Sequence, residues 1–360
     1  MSTVYMCKGT SWYPADEINI NMHPELPPGN YIIQVDSLTE QLYLENVDGF
    51  ELPARLYGDT TRHSNRILNT FKERSLSTGV LLSGEKGSGK TLLAKVIAAQ
   101  AAVDGVPTIV VNQPFRGDKF NKLIQDINQP CIIFFDEFEK VYDSEDQEKL
   151  LTLLDGVFPS KKLFMLTCND TYRIDRHMLN RPGRLFYALD FVGLTPEFVR
   201  EYCEENLKNQ TYIDQVGQVA TLFDQFNFDM LKAMVEEMNR YDESPRDVLE
   251  MLNVKPRGDQ DGSWSVALSV KGSLVKDDDL DSSTWNGNPL QTRGTVDIYY
   301  SIPATDDECA AGGRAEFKQT DLVRIEPGVG RMVFTNGLDE TVTFTRQRNQ
   351  MYDYRSALLA

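Results

Sequence analysis

The octapeptide Gly84-Glu85-Lys86-Gly87-Ser88-Gly89-Lys90-Thr91 stands between the apolar run Val80-Leu81-Leu82 and a segment with Leu92, Leu93, Val96 and Ile97 at helical spacing. Glycines at this spacing let backbone N–H groups wrap a phosphate chain, and the following helix N-terminus favours its negative charge. The mechanism needs a buried strand before the loop and a helix after it, which is the order read here. Lys90 is expected to reach the β and γ phosphates of a nucleotide, and the Thr91 hydroxyl to hold magnesium.

Short apolar strands alternate with helices through this region. After Val80–Leu82 come Thr108-Ile109-Val110-Val111, Cys131-Ile132-Ile133-Phe134-Phe135, Leu163-Phe164-Met165-Leu166 and Phe186 to Phe191, with a helix around Phe120-Leu123-Ile124-Ile127 and another near Glu148 to Leu154. Fully apolar strands joined by crossover helices predict an α/β fold, a five-stranded parallel sheet covered on both faces. Its expected extent is 53–192. Residues 193–256 read as a helical lid, with Met230, Leu231, Met234, Val235 and Met238 as its apolar stripe. Before the sheet, 1–52 reads as a small β-containing module with a hairpin at Tyr31–Val35 and Leu42–Leu44. After the turn-rich stretch 256–262, residues 257–360 read as an all-β domain whose acidic loop Asp277–Asp281 is a solvated turn.

The strand Cys131–Phe135 ends in Asp136-Glu137, a carboxylate pair at the sheet edge where parallel α/β folds bind ligands. Asp136 is expected to hold magnesium, and Glu137 to orient and deprotonate an attacking water.

Together with Leu-Thr-Cys-Asn at 166–169 and Asn-Arg-Pro-Gly-Arg at 180–184, these motifs resemble the AAA+ ATPases, and within them the AAA clade that includes katanin and the proteasomal ATPases. The resemblance covers residues 53 to 254. It implies ATP and magnesium as cofactors and hydrolysis of ATP to ADP and phosphate. Asn169 is similar to the sensor residue that helps position the water. Arg181 and Arg184 are similar to arginine fingers that enter a neighbouring subunit's site, which implies a homo-oligomeric ring, a hexamer. Leu154-Asp155-Gly156-Val157 resembles an inter-subunit signalling segment or is a helix stopped at Gly156. Tyr57-Gly58 sits where the family packs around adenine. The start of the lid helix near Phe228-Asp229 has no sensor arginine, as is usual in the AAA clade. Phe115-Arg116-Gly117 is similar to the pore-loop trio of protein-threading relatives, with burial of Phe115 in the core as the alternative. The overall look also resembles small AAA+ proteins of tailed bacteriophages, which implies host cytoplasm as the location.

A net charge of −17 opposes broad capture of nucleic acid, and no stretch approaches the length of a membrane span. Five scattered cysteines without a Cys-x-x-Cys pair point to a reducing, cytoplasmic setting. The expected function is remodelling, unfolding or disassembly of a protein substrate. A nucleic-acid-directed motor or loader and an ATP-dependent assembly scaffold are the alternatives.

Overall fold

The computed structural model describes residues 3–8, 11–16, 23–37, 39–155, 158, 160–179, 181–191, 193–223, 226–254, 263–290, 295–302, 311–326 and 330–347. Strands β1 (Thr3–Lys8) and β2 (Ser11–Asp16) pair only with each other. Next come β3 (Asn30–Val35), β4 (Leu42–Val47), α1 (Thr60–Glu73), β5 (Thr78–Gly84), α2 (Lys90–Val103), β6 (Thr108–Val111) and α3 (Asp118–Gln125). They are followed by β7 (Cys131–Phe135), α4 (Phe138–Val141), α5 (Ser144–Leu154), β8 (Lys162–Cys168) and β9 (Tyr187–Phe191).

The central sheet runs β4-β3-β6-β7-β8-β5-β9, with every neighbouring pair parallel except β3 and β4. Period-two alternation sorts its side chains into two apolar layers. Leu81, Ile133, Phe135, Phe164 and Leu166 face α3, α4 and α5. Val80, Leu82, Ile132, Phe134, Leu163 and Met165 face α1 and α2. Burial on both faces is why these strands read as continuous apolar runs.

Seven strands stand where five were expected, because the β3–β4 hairpin is not a separate module. Asn30, Tyr31 and Ile32 pair in parallel with Thr108, Ile109 and Val110. Tyr31 and Ile33 thereby complete the apolar layer beside Ile109, which β6 as an edge strand would leave open.

The lid comprises α6 (Pro196–Asn206), α7 (Ile213–Thr221), α8 (Phe228–Tyr241) and α9 (Pro245–Met251). Thr195, Asn227 and Ser244 cap α6, α8 and α9 by accepting backbone N–H bonds. Leu231, Met234, Val235 and Met238 are buried along one face of α8, as the periodicity predicts.

The remaining strands are β10 (Ser263–Val270), β11 (Ser273–Leu274), β12 (Thr284–Asn286), β13 (Val296–Ile302), β14 (Ala311–Phe317), β15 (Leu322–Glu326), β16 (Arg331–Thr335) and β17 (Glu340–Gln347). They enclose a core that includes Trp264, Phe317, Phe334 and Phe344. Strand β14 escapes sequence reading because Gly312-Gly313 suggests a turn. Gly313 lies opposite Tyr300 on β13, and a methyl there would meet the tyrosine ring at 2.3 Å. The β domain is joined to the lid at α7. Leu222 packs into both cores, Asn288 Nδ2 donates to Leu222 O at 3.2 Å, and Arg346 Nη2 donates to Thr221 O at 3.1 Å.

Candidate active site

The glycine-rich loop leaves the C-terminal end of β5 and feeds α2, beside the ends of β7 and β8. Gly84, Gly87 and Gly89 all have positive φ, which side chains rarely adopt. At Gly84 there is also no room, since a Cβ would lie 2.3 Å from Phe191 O. Glu85 and Lys86 are exposed, and Ser88 N–H closes a turn onto Glu85 O at 3.3 Å.

Lys90 is buried, and its ammonium spends its three donors on Gly84 O at 2.6 Å, Glu85 O at 2.7 Å and Asn169 Oδ1 at 3.2 Å. Burial pulls its pKa below the ordinary lysine value, against the opposing pull of nearby Cys168 and the carboxylates Glu139, Asp136 and Glu137. To hold phosphate, Lys90 must exchange the two loop carbonyls for phosphate oxygens.

Asp136 Oδ1 accepts from Thr91 Oγ1 at 3.1 Å and from Thr167 Oγ1 at 2.6 Å. A hydroxyl and a carboxylate side by side are the hard oxygen donors magnesium takes, with its remaining positions left to waters and phosphate. Thr167 also accepts from the Glu137 backbone N–H at 2.8 Å. That bond supports an uncommon conformation, for Glu137 has φ 49° and ψ 47°. A non-glycine residue held left-handed costs roughly 1–2 kcal/mol. The Glu137 carboxylate is bound by Lys140 Nζ at 2.5 Å, which holds its pKa below the usual glutamate value.

Asn169 sits at the end of β8, between Lys90 and Glu139. Sequence reasoning missed Thr167, Glu139 and Lys140. Thr167 is the polar residue that ends the apolar run Leu163–Leu166, and Glu139 is the third acid of Asp-Glu-Phe-Glu, so both left a trace.

The lid touches the loop directly. Phe228 N–H donates to Gly87 O at 3.1 Å and Asn227 Nδ2 to Lys86 O at 3.2 Å. Where a sensor arginine is lacking, Asp229 lies so close that a methyl on Gly87 would meet its Oδ2 at 2.6 Å.

Three groups of expected site residues have neighbours within their own chain. Tyr57 faces the lid: its ring packs against Phe198 and Tyr202, and its hydroxyl pairs with Glu205 at 2.9 Å and Asn206 at 3.0 Å. Gly58, with φ 63°, would carry a Cβ 3.1 Å from Phe198, so the pair forms the joint between sheet and lid. Phe115 turns inward and stacks on Phe120 at 6.3 Å, while Tyr142 hydroxyl donates to its carbonyl at 2.9 Å. Arg116 is paired with buried Asp146, and Gly117 begins α3, so all three residues of the trio serve the fold. An apolar patch beside the end of β6 captures the ring more strongly than solvent.

Arg184 is held within its own chain. Its Nε donates to Asp155 Oδ1 at 2.7 Å, Nη2 to Asp155 Oδ2, and Nη1 to His177 O at 2.6 Å. Arg181 is exposed on the same segment. Asp155 belongs to the expected signalling segment, of which Gly156 and Val157 lie outside the described residues, as does Asn180.

A phosphate-binding loop at the end of a parallel strand, with a hydroxyl–carboxylate pair and a second carboxylate beside it, defines a P-loop nucleotide site. Residues 80–192 match the family model described as "ATPase family associated with various cellular activities (AAA)". The chain thus carries an AAA ATPase domain. It is 34% identical over 148 residues to the mouse (Mus musculus) nuclear valosin-containing protein-like, an alignment covering 35% of this chain and 17% of that protein. It is 31% identical over 174 residues to the Dictyostelium discoideum peroxisomal ATPase PEX6, covering 42% and 13%. To the Phytoplasma mali (strain AT) ATP-dependent zinc metalloprotease FtsH 3 it is 32% identical over 130 residues, covering 31% and 22%. The chain spans less than a quarter of the length of these curated relatives.

Proposed function

We propose that the chain is a magnesium-dependent ATPase that works as a subunit of a homo-oligomeric ring, a hexamer, and remodels a protein substrate. The observation that carries this reading is the convergence of Lys90, Thr91, Asp136, Glu137 and Asn169 at one sheet edge. Thr91 and Asp136 are the residues that would hold magnesium, which would supply charge neutralisation for the bound phosphates. The loop N–H groups and Lys90 bind and orient the phosphates. Glu137, kept ionised by Lys140, takes the proton of the attacking water once that ion pair loosens. Arg181, exposed at the surface, is the arginine offered to the neighbouring subunit's site. The metalloprotease relative couples ATP to proteolysis by name, which supports a protein substrate. The assignment to a protein over a nucleic acid rests further on the net charge of −17.

The test is magnesium-dependent phosphate release as a function of protein concentration, with Lys90→Ala and Arg181→Ala as variants. Both variants are expected to be inactive alone. Mixing Arg181→Ala with Glu137→Gln should restore part of the rate, because each contributes the group the other lacks across a shared interface. Turnover that is independent of concentration, with no recovery on mixing, would refute the ring-completed site.

A further inference from the structure

We propose that Glu139 is a positioning residue for hydrolysis, acting through Asn169; this deepens the reading of the site as an ATPase centre. Glu139 lies on α4, two residues beyond Glu137. Its Oε1 accepts two bonds from one residue, from Asn169 N–H at 3.0 Å and from Asn169 Nδ2 at 2.9 Å. A carboxylate only accepts, and an ammonium only donates. With Glu139 on one side and Lys90 on the other, a single orientation of the Asn169 amide satisfies both. The NH2 group faces Glu139, and Oδ1 faces Lys90 at 3.2 Å.

The orientation of Asn169 is therefore fixed by Glu139 and Lys90 together, and once Lys90 turns to phosphate it is Glu139 that holds it. Remove the carboxylate, and the NH2 group loses its acceptor, leaving the amide held by Lys90 alone. The backbone bond has a second effect, since it pins the end of β8 at the point where Asn169 leaves the strand. Packing alone does not account for the acid. Glu139 Oε2 is buried without a hydrogen-bond partner among the described residues, a cost that the two bonds Oε1 accepts from Asn169 must offset.

The experiment uses the full chain and the variants Glu139→Ala, Glu139→Gln, Asn169→Ala and the Glu139→Ala/Asn169→Ala double. Glu139→Ala is expected to lower kcat roughly tenfold and to leave KM for ATP within about twofold, because an interaction used in turnover and not in binding has been removed. Glu139→Gln keeps the carbonyl acceptor and should recover most of the rate. In the Asn169→Ala background, Glu139→Ala should cost clearly less than in the wild type, since only the backbone bond is left to lose. An unchanged kcat, or the same loss with and without the Asn169 side chain, overturns the proposal. A second readout needs no turnover. The Asn169 side-chain NH2 signals, identified by their absence in Asn169→Ala, should move in nucleotide-free Glu139→Ala and stay near their original positions in Glu139→Gln. Signals that do not move overturn the proposal even if the wild-type chain hydrolyses ATP. A wild-type chain without ATPase activity refutes the function proposed above, while the NH2 signals still decide the positioning.

Discussion

Gly79, the second residue of β5, sets the position of the arginine-bearing segment, and a single methyl group tests it. A Cβ at this position would lie 1.9 Å from Arg184 O, 2.9 Å from Arg184 C and 3.1 Å from Leu185 Cα. Real Cβ atoms stay beyond 3.0 Å, so the backbone at residue 184 must retreat by about 1 Å. Retreat also strains the bond from Phe186 N–H to Gly79 O, now 2.8 Å. Overpacking costs about 1–3 kcal/mol and a weakened backbone bond about 1 more, so Gly79→Ala should destabilise the chain by about 2–4 kcal/mol. The φ of Gly79 is not in the left-handed range, so the cost is steric alone. Denaturant unfolding measures it against Gly183→Ala in the same segment, where a methyl meets nothing within 4 Å. ATP binding should survive in Gly79→Ala, because the phosphate loop leaves the opposite end of the strand. Hydrolysis should fall by up to about 100-fold, the scale expected when a positioned group moves by 1 Å. A Gly79→Ala protein with wild-type midpoint and wild-type turnover would refute the idea that β5 presses the arginines into place.

Glu137→Gln should keep ATP affinity, measured with a fluorescent analogue, and lose at least about 100-fold in turnover; normal turnover would remove Glu137 as the base. Chelation of magnesium should abolish phosphate release reversibly, and activity that persists in chelator would exclude the role given to Thr91 and Asp136. Phe115→Ala should cost about 1–2 kcal/mol in urea, below the 3–5 of a fully buried phenylalanine because the ring is only half-buried; an unchanged midpoint would return the ring to solvent. Burial pushes the thiol of Cys131 up to about 11 and those of Cys168 and Cys203 up to about 12. Raised values keep all three protonated and unreactive at pH 8, so they should be labelled only after denaturation. Labelling of any of them in the native protein, located by mass spectrometry, would contradict that burial.

The nucleotide fold is legible in the sequence where local pattern and tertiary environment agree. Val80–Leu82 and Cys131–Phe135 are buried on both faces, so their apolar runs announce parallel strands. Thr91 and Asp136 are 45 residues apart but meet because Asp136 directly follows β7 and Thr91 opens α2 after the loop that leaves β5, both at the same sheet edge. What the sequence hides are choices between partners. Nothing in Tyr31-Ile32-Ile33 says that the hairpin joins β6 in parallel, because both of its edges offer the same backbone groups. Nothing near Arg184 says that Asp155, 29 residues earlier, outcompetes solvent for its guanidinium. Phe115 is ambiguous for a related reason: a pore residue and a core anchor are both aromatic, and only the surface beside Phe120 decides.

The junction at Leu222 has a thermodynamic consequence. Thr221 and Leu222 hold the β domain, while Asn227 and Phe228 hold the phosphate loop at Lys86 and Gly87. One short stretch of chain thus has two clients, and a displacement that suits one is felt by the other. A molecule that binds the β domain and resists that displacement must change the affinity for nucleotide. Nucleotide must then change the affinity for that molecule by the same factor, because the coupling free energy is a single quantity read from either end.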